Sequence, residues 1–509
     1  MDGGTISYNQ CESADGTKGA GIYAQHGSIT VTGGTINNNT KVAKGGGVYL
    51  DTESRLYMKN ASGKTTSGEI KSNTATYGGA VYMDQCDTAS GINLYGAASI
   101  PKGSDEKNDI YVNATSSDKP KISMNDTLTN SSISLVTGST SFYAENYQIL
   151  KFGGSPNQGN AAKIEIKSQS SQDWTVVTES FAGKLAKAKK LTSSNIASFT
   201  PTASTSYNFV IDSTVTSTQM KTFLESMCNK TVNTSSTKIA ASTLDLSKSS
   251  LTSFGSMSFD VEDLVEQPIT KVILPATDCS AALGNYRVRL CFAGVQEFVV
   301  PPGSTALSSD NGIVYNANKT KLISYPASKT GNTLSWLSSV TEVGTHAFCY
   351  AKNLRTMNIP STVTKIGGDA FMRAKITSVS IPSSVTSIEN EVFVYCTDLT
   401  SATVSNSLIS QREFGYCSSL TSVTLSGVTK INAVAFEGSG AKSITIPASV
   451  VYIGYRAFPS TMTSMTFAKT DKWKCYNSSE TYEGVVSSTQ LNATNYNSTW
   501  YNKVLKYGN

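Results

Sequence analysis

The feature that most constrains the fold is a phenylalanine that returns at almost constant spacing through the C-terminal half of the chain. Successive members are separated by 23, 22, 21, 22 and 22 residues. The six members are Phe348, Phe371, Phe393, Phe414, Phe436 and Phe458. A unit this short cannot bury its apolar residues alone and must stack on its neighbours. The spacing therefore predicts a solenoid.

Each period also contains a strand-like unit of the form Leu-x-x-Val-x-Ile. The apolar members of four such units are Leu354, Met357 and Ile359; Ile376, Val379 and Ile381; Leu399, Ala402 and Val404; and Leu420, Val423 and Leu425. Pro360 and Pro382 directly follow their strands, where a missing N–H group costs least. Each apolar position is thus predicted to stack on the same position of the next repeat.

The units AFCYAKNLRTMNIP, VFVYCTDLTSATVS and FGYCSSLTSVTLS closely resemble the leucine-rich repeats of the BspA-like surface-protein family. Residues 309–326 resemble a recurring hairpin segment of that family, with strands from Gly312 to Tyr315 and from Leu322 to Tyr325. The resemblance covers residues 241–469. It is weakest between Cys279 and Phe292, where no clean Val-x-x-Ile element occurs.

A second kind of repeat occupies the N-terminal part of the chain. A Gly-x-Ile-x-x-Asn unit places isoleucine at Ile6, Ile36 and Ile70 and asparagine at Asn9, Asn39 and Asn73. A glycine-led unit between them ends at Tyr23, Tyr49 and Tyr82. Two strand-like bursts in each period predict coils that stack in parallel. We expect an aliphatic column, an asparagine ladder and an architectural tyrosine column.

These N-terminal units resemble the β-helix repeats of bacterial surface proteins related to pectate-lyase-like folds. The segments NDIYV at 108–112, FYAENYQIL at 142–150 and DWTVV at 173–177 resemble the segments C-terminal to such repeats in those proteins. Only Asp2 separates Met1 from the first Gly-Gly pair, with no capping segment. Because a solenoid end needs a polar cap, we expect further coils and an export signal upstream in the native protein.

The predicted fold is mostly β, with two solenoids: a parallel β-helix followed by a BspA-type leucine-rich-repeat solenoid. The β-helix is assigned to residues 1–192, a linker with a short helix to 193–240, the leucine-rich repeats to 241–469 and a C-terminal cap to 470–509. The helix is expected to begin near Thr216, where Gln219 completes a capping box. Trp473, Tyr476, Trp500 and Tyr501 are expected to cover the last repeat.

The sequence carries few residues suited to catalysis or metal binding. Its two histidines, His26 and His346, lie in different modules, and neither has a nucleophile motif nearby. The position of His346 is interpreted as a surface site that tolerates different residues. The nine cysteines form no Cys-x-x-Cys pair, and an odd number cannot all pair. Cys396 and Cys417 are interpreted as stacked free thiols. No catalytic residue, cofactor site or metal site is predicted.

Composition narrows the range of partners. A net charge of +5 over 509 residues is too dilute for a nucleic-acid surface. No apolar run is long enough to span a bilayer. The alternative to a binding protein is a glycan-active enzyme, a polysaccharide lyase or hydrolase, that uses carboxylates such as Asp84 and Asp87 on the β-helix. A solvated corner is the favoured interpretation there, since Asp51 and Glu53 occupy the matching place.

Both resemblances imply a cell-surface or secreted protein that mediates adhesion by binding a protein or glycan ligand on host or neighbouring cells. Solenoids commonly bind through the exposed positions of a regular sheet, which can vary without disturbing the stacked core. The predicted contact residues are Arg355, Thr356, Asn358, Thr377, Ser378, Ser380, Thr400, Thr421 and Thr424. Plain solvent exposure is the alternative interpretation of each.

Overall fold

The computed structural model shows a mostly β chain whose described residues form eight sheets. It describes residues 1–10, 18–60, 68–84, 91–95, 98–100, 109–113, 121–124, 133–137, 148–152, 164–167, 174–179, 182–199, 205–228, 240–257, 268–301 and 304–508. Asp87, Cys11 and Cys86 lie outside these residues.

The N-terminal residues coil into three sheets, as a parallel β-helix does. The first sheet pairs Asp2–Ser7, Gly33–Asn37 and Glu69–Lys71. The second contains Ile22–Ala24, Val48–Leu50, Val81–Asp84, Ile110–Asn113, Ile133–Thr137 and Ile164–Lys167. The third contains Ser28–Val31, Arg55–Met58, Gly91–Leu94, Lys121–Met124 and Gln148–Phe152, followed by the antiparallel strands Ala182–Lys187 and Trp174–Glu179. All other neighbours in these sheets are parallel.

The repeated residues stack where the periodicity predicts. Ile36 is paired in register with Ile6 on one side and Ile70 on the other, and Ile36 and Ile70 are fully buried. Tight corners form at Gly45 and Gly78, whose φ angles of +69° and +66° suit a residue without a Cβ atom. The aliphatic column is confirmed.

The asparagines form the predicted ladder. The Nδ2 of Asn9 donates to the Oδ1 of Asn39 at 2.8 Å, and the Nδ2 of Asn39 donates to the Oδ1 of Asn73 at 2.9 Å. The Nδ2 of Asn39 also donates to the carbonyl of Ile6 at 3.1 Å. Asn39 and Asn73 are fully buried, so each amide meets its hydrogen-bonding needs inside the coil rather than in water.

We expect the Asn39→Asp variant to lose about 3 kcal/mol of unfolding free energy at pH 7. The new carboxylate would be buried facing two acceptor oxygens, and it has no hydrogen to donate to them. The loss should shrink near pH 3, where the acid is neutral. Urea unfolding followed by circular dichroism measures it, with Asn38→Asp, one residue outside the ladder, as the control. Equal losses for the two variants would contradict the ladder argument.

A five-stranded parallel sheet comes next along the chain. Its strands are Lys189–Leu191, Asn208–Ile211, Ser242–Asp245, Ile269–Ile273 and Glu297–Val299. Helix Ser217–Cys228 packs beside it through four buried residues, Met220, Phe223, Leu224 and Met227. Its predicted capping box is present, since Gln219 accepts from the N–H of Thr216 and donates its own N–H to the Thr216 hydroxyl.

This sheet runs across both boundaries that the sequence suggested, at 192/193 and 240/241. Residues 193–240 supply one of its central strands and the packed helix, which a free linker would not do. We therefore propose that the second module begins near Lys189. The remaining short helices in the described residues are Ile196–Ser198, Ser280–Leu283, Tyr286–Cys291, Ser488–Gln490, Ala493–Asn495 and Tyr496–Trp500. Two of them occupy the segment where the repeat pattern was weakest.

A hairpin joins this sheet to the C-terminal repeats. Strands Leu307–Asp310, Ile313–Asn316 and Lys321–Ser324 are antiparallel, and Lys321–Ser324 then pairs in parallel with Glu342–Val343. Alternate side chains face different cores: Val314 and Ile323 pack with the preceding sheet, whereas Tyr315 and Leu322 pack with the repeats. The predicted hairpin is confirmed, and it belongs to both cores.

Each C-terminal repeat contributes one strand to each of two sides of the solenoid. On one side lie Thr356–Asn358, Ser378–Ile381, Ser401–Val404 and Ser422–Leu425, then the pair Ser443–Ile446 and Ser464–Phe467. On the other lie Glu342–Val343, Lys365–Ile366 and Ser387–Ile388, then Leu408–Ile409, Lys430–Ile431 and Tyr452–Ile453. The second group ends on the antiparallel strands Val504–Tyr507, Trp473–Tyr476 and Tyr482–Val486.

The six repeat phenylalanines form one buried stack between the two sides. Successive ring centroids lie 4.6, 4.9, 5.3, 5.2 and 5.5 Å apart, with planes within 17° of parallel. The last ring, Phe458, meets Tyr496 edge-on at 5.7 Å, and the Tyr496 hydroxyl accepts from the Phe458 N–H at 2.9 Å. Tyr496, which the sequence pattern does not single out, therefore covers the end of the stack.

Candidate binding surface

The first side of the solenoid presents a flat surface of small polar groups, which we call the hydroxyl face. Two side chains of each strand point outward, while their neighbours in between point into the core. The twelve outward residues are Thr356, Asn358, Ser378, Ser380, Ser401, Thr403, Ser422, Thr424, Ser443, Thr445, Ser464 and Thr466. Eleven carry hydroxyls and one an amide. None of these twelve described positions is charged.

The register makes two columns of these side chains. Thr356, Ser378, Ser401 and Ser422 pair in order along one column, and Asn358, Ser380, Thr403 and Thr424 along the other. Neighbouring strands of a sheet are about 4.8 Å apart, so the groups repeat at that spacing. Each hydroxyl can both donate and accept a hydrogen bond. The face therefore offers regularly spaced, two-way hydrogen bonding.

The opposite side of the same solenoid differs in chemistry. Its outward residues, which we call the mixed face, are Glu342, Lys365, Ser387, Lys430 and Tyr452, while Leu408 at the matching place packs partly against the core. Glu342 pairs with Lys365 at 3.3 Å, and the Nζ of Lys430 lies 4.7 Å from the centre of the Tyr452 ring. Solvent exposure alone would act on both sides alike, so it does not account for an uncharged face opposite a charged one.

The predicted contact residues fall into two groups. Thr356, Asn358, Ser378, Ser380 and Thr424 lie on the hydroxyl face. The remaining four, Arg355, Thr377, Thr400 and Thr421, lie just before the strands and hydrogen-bond to backbone carbonyls. Three of these four bonds reach the preceding repeat.

Arg355 shows what this second group does. Its Nη1 donates to the carbonyls of Lys352 at 2.8 Å and Lys375 at 3.1 Å, which ties two repeats together. The hydroxyl of Thr400 donates to the carbonyl of Thr377 at 2.9 Å. These side chains already have backbone partners, so we assign them to repeat stacking and leave the strand positions as the candidate surface. Seven further members of the face were not predicted as contact residues. Ser401, Thr403 and Ser422 lie on strands that the Leu-x-x-Val-x-Ile pattern had already found, and the other four lie on strands that the pattern, extended to all repeats, would have found.

Cys396 and Cys417 are stacked, buried thiols, as predicted. Each lies three residues after a repeat phenylalanine, where Ala351 and Ala374 stand in the repeats before. The Cys396 Sγ donates to the carbonyl of Phe371 at 3.0 Å, and the Cys417 Sγ to that of Phe393 at 3.1 Å. Burial raises the pKa of Cys417 to about 12 and that of Cys396 well above its usual value.

We expect both thiols to resist alkylation in the folded protein at pH 8. A buried thiol with a raised pKa supplies almost no thiolate, which is the reactive form. Iodoacetamide labelling, mapped by peptide mass spectrometry, should modify them at least tenfold more slowly in buffer than in 6 M urea. Rapid labelling of Cys396 in buffer would show that the repeat opens locally.

His346 does not occupy the tolerant surface site that the sequence suggested. Its Nδ1 lies 2.8 Å from the carbonyl of Gly284, and its side chain is only 15% exposed. Its Nε2 lies 3.8 Å from Asp369. Burial lowers the pKa of His346, while burial and the nearby Glu391 raise the pKa of Asp369 to about 6. The His346 ring therefore connects the segment of short helices to the first leucine-rich repeat.

On the N-terminal coils the tyrosines stack as expected. Tyr23, Tyr49, Tyr82 and Tyr111 have successive centroid distances of 5.2, 5.3 and 5.0 Å. Tyr49 is fully buried, and burial together with a hydrogen bond to Asp84 raises its pKa strongly. The column packs as structural support.

The carboxylates beside this column are partners of its hydroxyls. Tyr23 donates to Asp51 at 2.8 Å, and Tyr49 donates to Asp84 one coil further on. Asp84 is only 7% exposed, so the expectation of a solvated corner is wrong for it. Asp84 is buried because it accepts a hydrogen bond from Tyr49 of the preceding coil. The sequence does not show that these two residues lie side by side. Among the described residues, no group of three His, Cys, Asp or Glu side chains could hold a metal ion.

Comparison with known proteins agrees with the repeat geometry. The model of the BspA type leucine rich repeat region matches residues 327–439 and 407–499, in six copies. The C-terminal repeats are BspA-type leucine-rich repeats. A search of curated proteins found no match. In the described part of the chain, none of the helices has the length and apolar character needed to cross a membrane.

Three solved structures illustrate the likeness. A leucine-rich repeat protein from Eubacterium ventriosum is 15% identical and has a TM-score of 0.31, covering 70% of this chain and 84% of its own. A leucine rich cell surface protein from Faecalibacterium prausnitzii is 25% identical, with a TM-score of 0.25, covering 35% and 60%. The pneumococcal vaccine antigen PcpA is 12% identical, with a TM-score of 0.24, covering 92% and 95%.

Proposed function

We propose that this BspA-type chain is a cell-surface or secreted, non-enzymatic binding protein. In this role it mediates adhesion to protein or glycan ligands on host or neighbouring cells. The hydroxyl face is its contact surface. The observation that carries the proposal is the contrast between the two sides of one solenoid: twelve uncharged polar positions on one, and ion pairs and a Lys–Tyr contact on the other.

The face suits extended contact. It is a regular surface on a stacked core, so its outward residues can bind without repacking of the interior. The outward residues of the hydroxyl face are uncharged, so they would not attract a strongly charged partner over a distance. Such electrostatic steering chiefly speeds association and sets specificity. Affinity here would come from many hydrogen bonds and shape rather than from ion pairs. The pectate-lyase-like likeness of the N-terminal coils remains a prediction.

The experiment compares one charge placed on each side of the solenoid. The full chain, Thr403→Glu on the hydroxyl face and Ser387→Glu on the mixed face are tested for saturable binding to immobilised matrix proteins and neutral glycans. We expect Thr403→Glu to weaken binding at least tenfold, because a carboxylate covered by the ligand would lack a partner. Ser387→Glu, an exposed site next to Lys365, should bind like the unchanged chain.

Two results would contradict the proposal. If the two variants bind equally well, the hydroxyl face is not the contact surface. Release of reducing ends from the same glycans, or of unsaturated products from uronate-containing glycans assayed beside them, would establish the enzymatic alternative instead if it is lost in Asp84→Asn. Melting temperatures of all variants, measured in parallel, separate loss of binding from loss of folding.

A further inference from the structure

A cavity of about 460 Å³ opens where three elements meet, away from the hydroxyl face. The helical turn Ser280–Leu283 forms one wall, the hairpin a second, and the start of the first leucine-rich repeat a third. Its lining is Asp278, Ser280, Ala281, Gly284, Ala306, Asn316, Lys321, Ile323, Gly344 and Thr345. Sites for small molecules have volumes of about 300 to 1,000 Å³ and favour such junctions.

The cavity brings together two opposite charges that are not paired with each other. One carboxylate oxygen of Asp278 accepts from the N–H of Ser280 at 2.9 Å. In the described part of the chain no ion pair joins Asp278 to a lysine or arginine. Asp278 therefore brings to the lining of the cavity a negative charge that has no ion-pair partner among the described residues.

A second lining residue, Lys321, belongs to a group of side chains with a surplus of positive charge. Lys321 lies 2.7 Å from Glu342, but the same carboxylate oxygen is 3.3 Å from Lys365. One carboxylate is thus shared by two ammonium groups, which leaves a net charge of +1 in this group. Lys321 also lines the cavity, so a ligand bound there would lie next to this group.

The rest of the lining includes small and apolar residues. Ala281, Ala306 and Ile323 supply methyl groups, and Gly284 and Gly344 supply none. Gly284 has a φ of −78°, and a Cβ atom there would find no heavy atom nearer than 3.5 Å. The position is therefore open to a side chain without backbone strain, and glycine there leaves the space free.

We propose that this cavity binds a free α-amino acid as its zwitterion. The ammonium group pairs with Asp278, the carboxylate pairs with Lys321, and a small apolar side chain lies against Ala306 and Ile323. A zwitterion can pair with both charges at once through charge-assisted hydrogen bonds, whereas a simple amine or a simple acid can pair with only one of them. This site does not depend on the function of the hydroxyl face.

The test is isothermal titration of the full chain with three probes: l-leucine, N-acetyl-l-leucine, which lacks the ammonium charge, and l-leucinamide, which lacks the carboxylate. We expect saturable binding of leucine and at least tenfold weaker binding of the other two. No saturable binding of leucine at millimolar concentration would overturn the proposal, and so would equal binding of N-acetyl-leucine.

Variants locate the site. Asp278→Asn and Lys321→Met should each weaken leucine binding at least tenfold, and Glu342 keeps Lys365 as a partner in the latter. Gly284→Leu should block binding by filling the cavity while both charges remain. Asp310→Asn, which breaks the Lys319 ion pair on the same hairpin outside the cavity, is the matched control. Unchanged binding in Asp278→Asn and Gly284→Leu, with melting temperatures preserved, would overturn the assignment.

Discussion

Replacing Glu413 with alanine should remove most of a fall in stability that the unchanged protein undergoes between about pH 4.5 and pH 8. Glu413 is fully buried directly before Phe414, at a position that Ala347, Ala370 and Ala435 occupy in other repeats. Burial raises its pKa from 4.5 to about 8, although the N–H and hydroxyl of Ser410 donate to its Oε2. Its Oε1 has no hydrogen-bond partner among the described residues.

Proton binding decides whether stability rises or falls with pH. Because the folded pKa exceeds the unfolded one, the folded chain holds a proton that the unfolded chain releases above pH 4.5. The stability contribution is therefore complete below pH 4.5 and is lost as the pH rises to about 8. One pKa unit corresponds to about 1.4 kcal/mol, so the loss is on the order of 3 to 5 kcal/mol.

Urea unfolding followed by tryptophan fluorescence at pH 5 and pH 8 measures this difference. The Glu413→Ala and Glu413→Gln variants should both show a much smaller dependence on pH, because neither side chain ionises. Glu389→Gln, an exposed glutamate one repeat earlier, is the control and should leave the dependence unchanged. If the Glu413→Ala variant keeps the full dependence, another group causes it.

Periodicity explains which features could be predicted from the sequence. The phenylalanine stack and the asparagine ladder both require the same residue at the same place in every turn, so they appear as repeats in the sequence. Glu413 could not be predicted in this way. It interrupts a column of alanine and valine. Nothing in the local sequence distinguishes its buried position from the neighbouring position, where Arg412 is partly exposed.

The candidate surface was predictable only in part. Alternation within the strands identified Ser378, Ser380 and Thr424 as outward residues, because side chains of a strand point to opposite faces in turn. The same polarity occurs at Thr377 and Thr400, which precede their strands. Their hydroxyls reach the carbonyls of the previous repeat, a contact that depends on how repeats stack in space. Polarity alone therefore does not distinguish a residue that contacts a ligand from one that holds two repeats together.

The segment without a repeat pattern contains an anchor of a different kind. Helix Tyr286–Cys291 carries Arg289, which is completely buried between the five-stranded sheet and the repeats. Its guanidinium donates to the Ser324 hydroxyl and to the carbonyls of Tyr325 and Ala347, the last at 3.3 Å. It thereby connects the helix, the hairpin and the first leucine-rich repeat. No sequence pattern indicates this contact, because its partners are mostly backbone groups.

Arg289→Ala should destabilise the protein by about 3 to 5 kcal/mol, the largest effect that we expect from a single residue of the C-terminal module. The change leaves a cavity and removes donors from a buried hydroxyl and a carbonyl. Burial lowers the pKa of Arg289 to about 10, so the charge is present at neutral pH and its hydrogen bonds are charge-assisted. Urea unfolding at pH 7 measures the loss.

Arg289→Met separates the two contributions. Methionine restores most of the volume without a charge, and it removes the cost of burying a guanidinium that has no carboxylate partner among the described residues. If the anchor acts mainly through packing, the methionine variant should recover more than half of the loss. If the hydrogen bonds to the hairpin and Ala347 dominate, both variants should lose similar stability, and the hairpin should become accessible to protease. A loss below about 1 kcal/mol in the alanine variant would contradict the anchoring role itself.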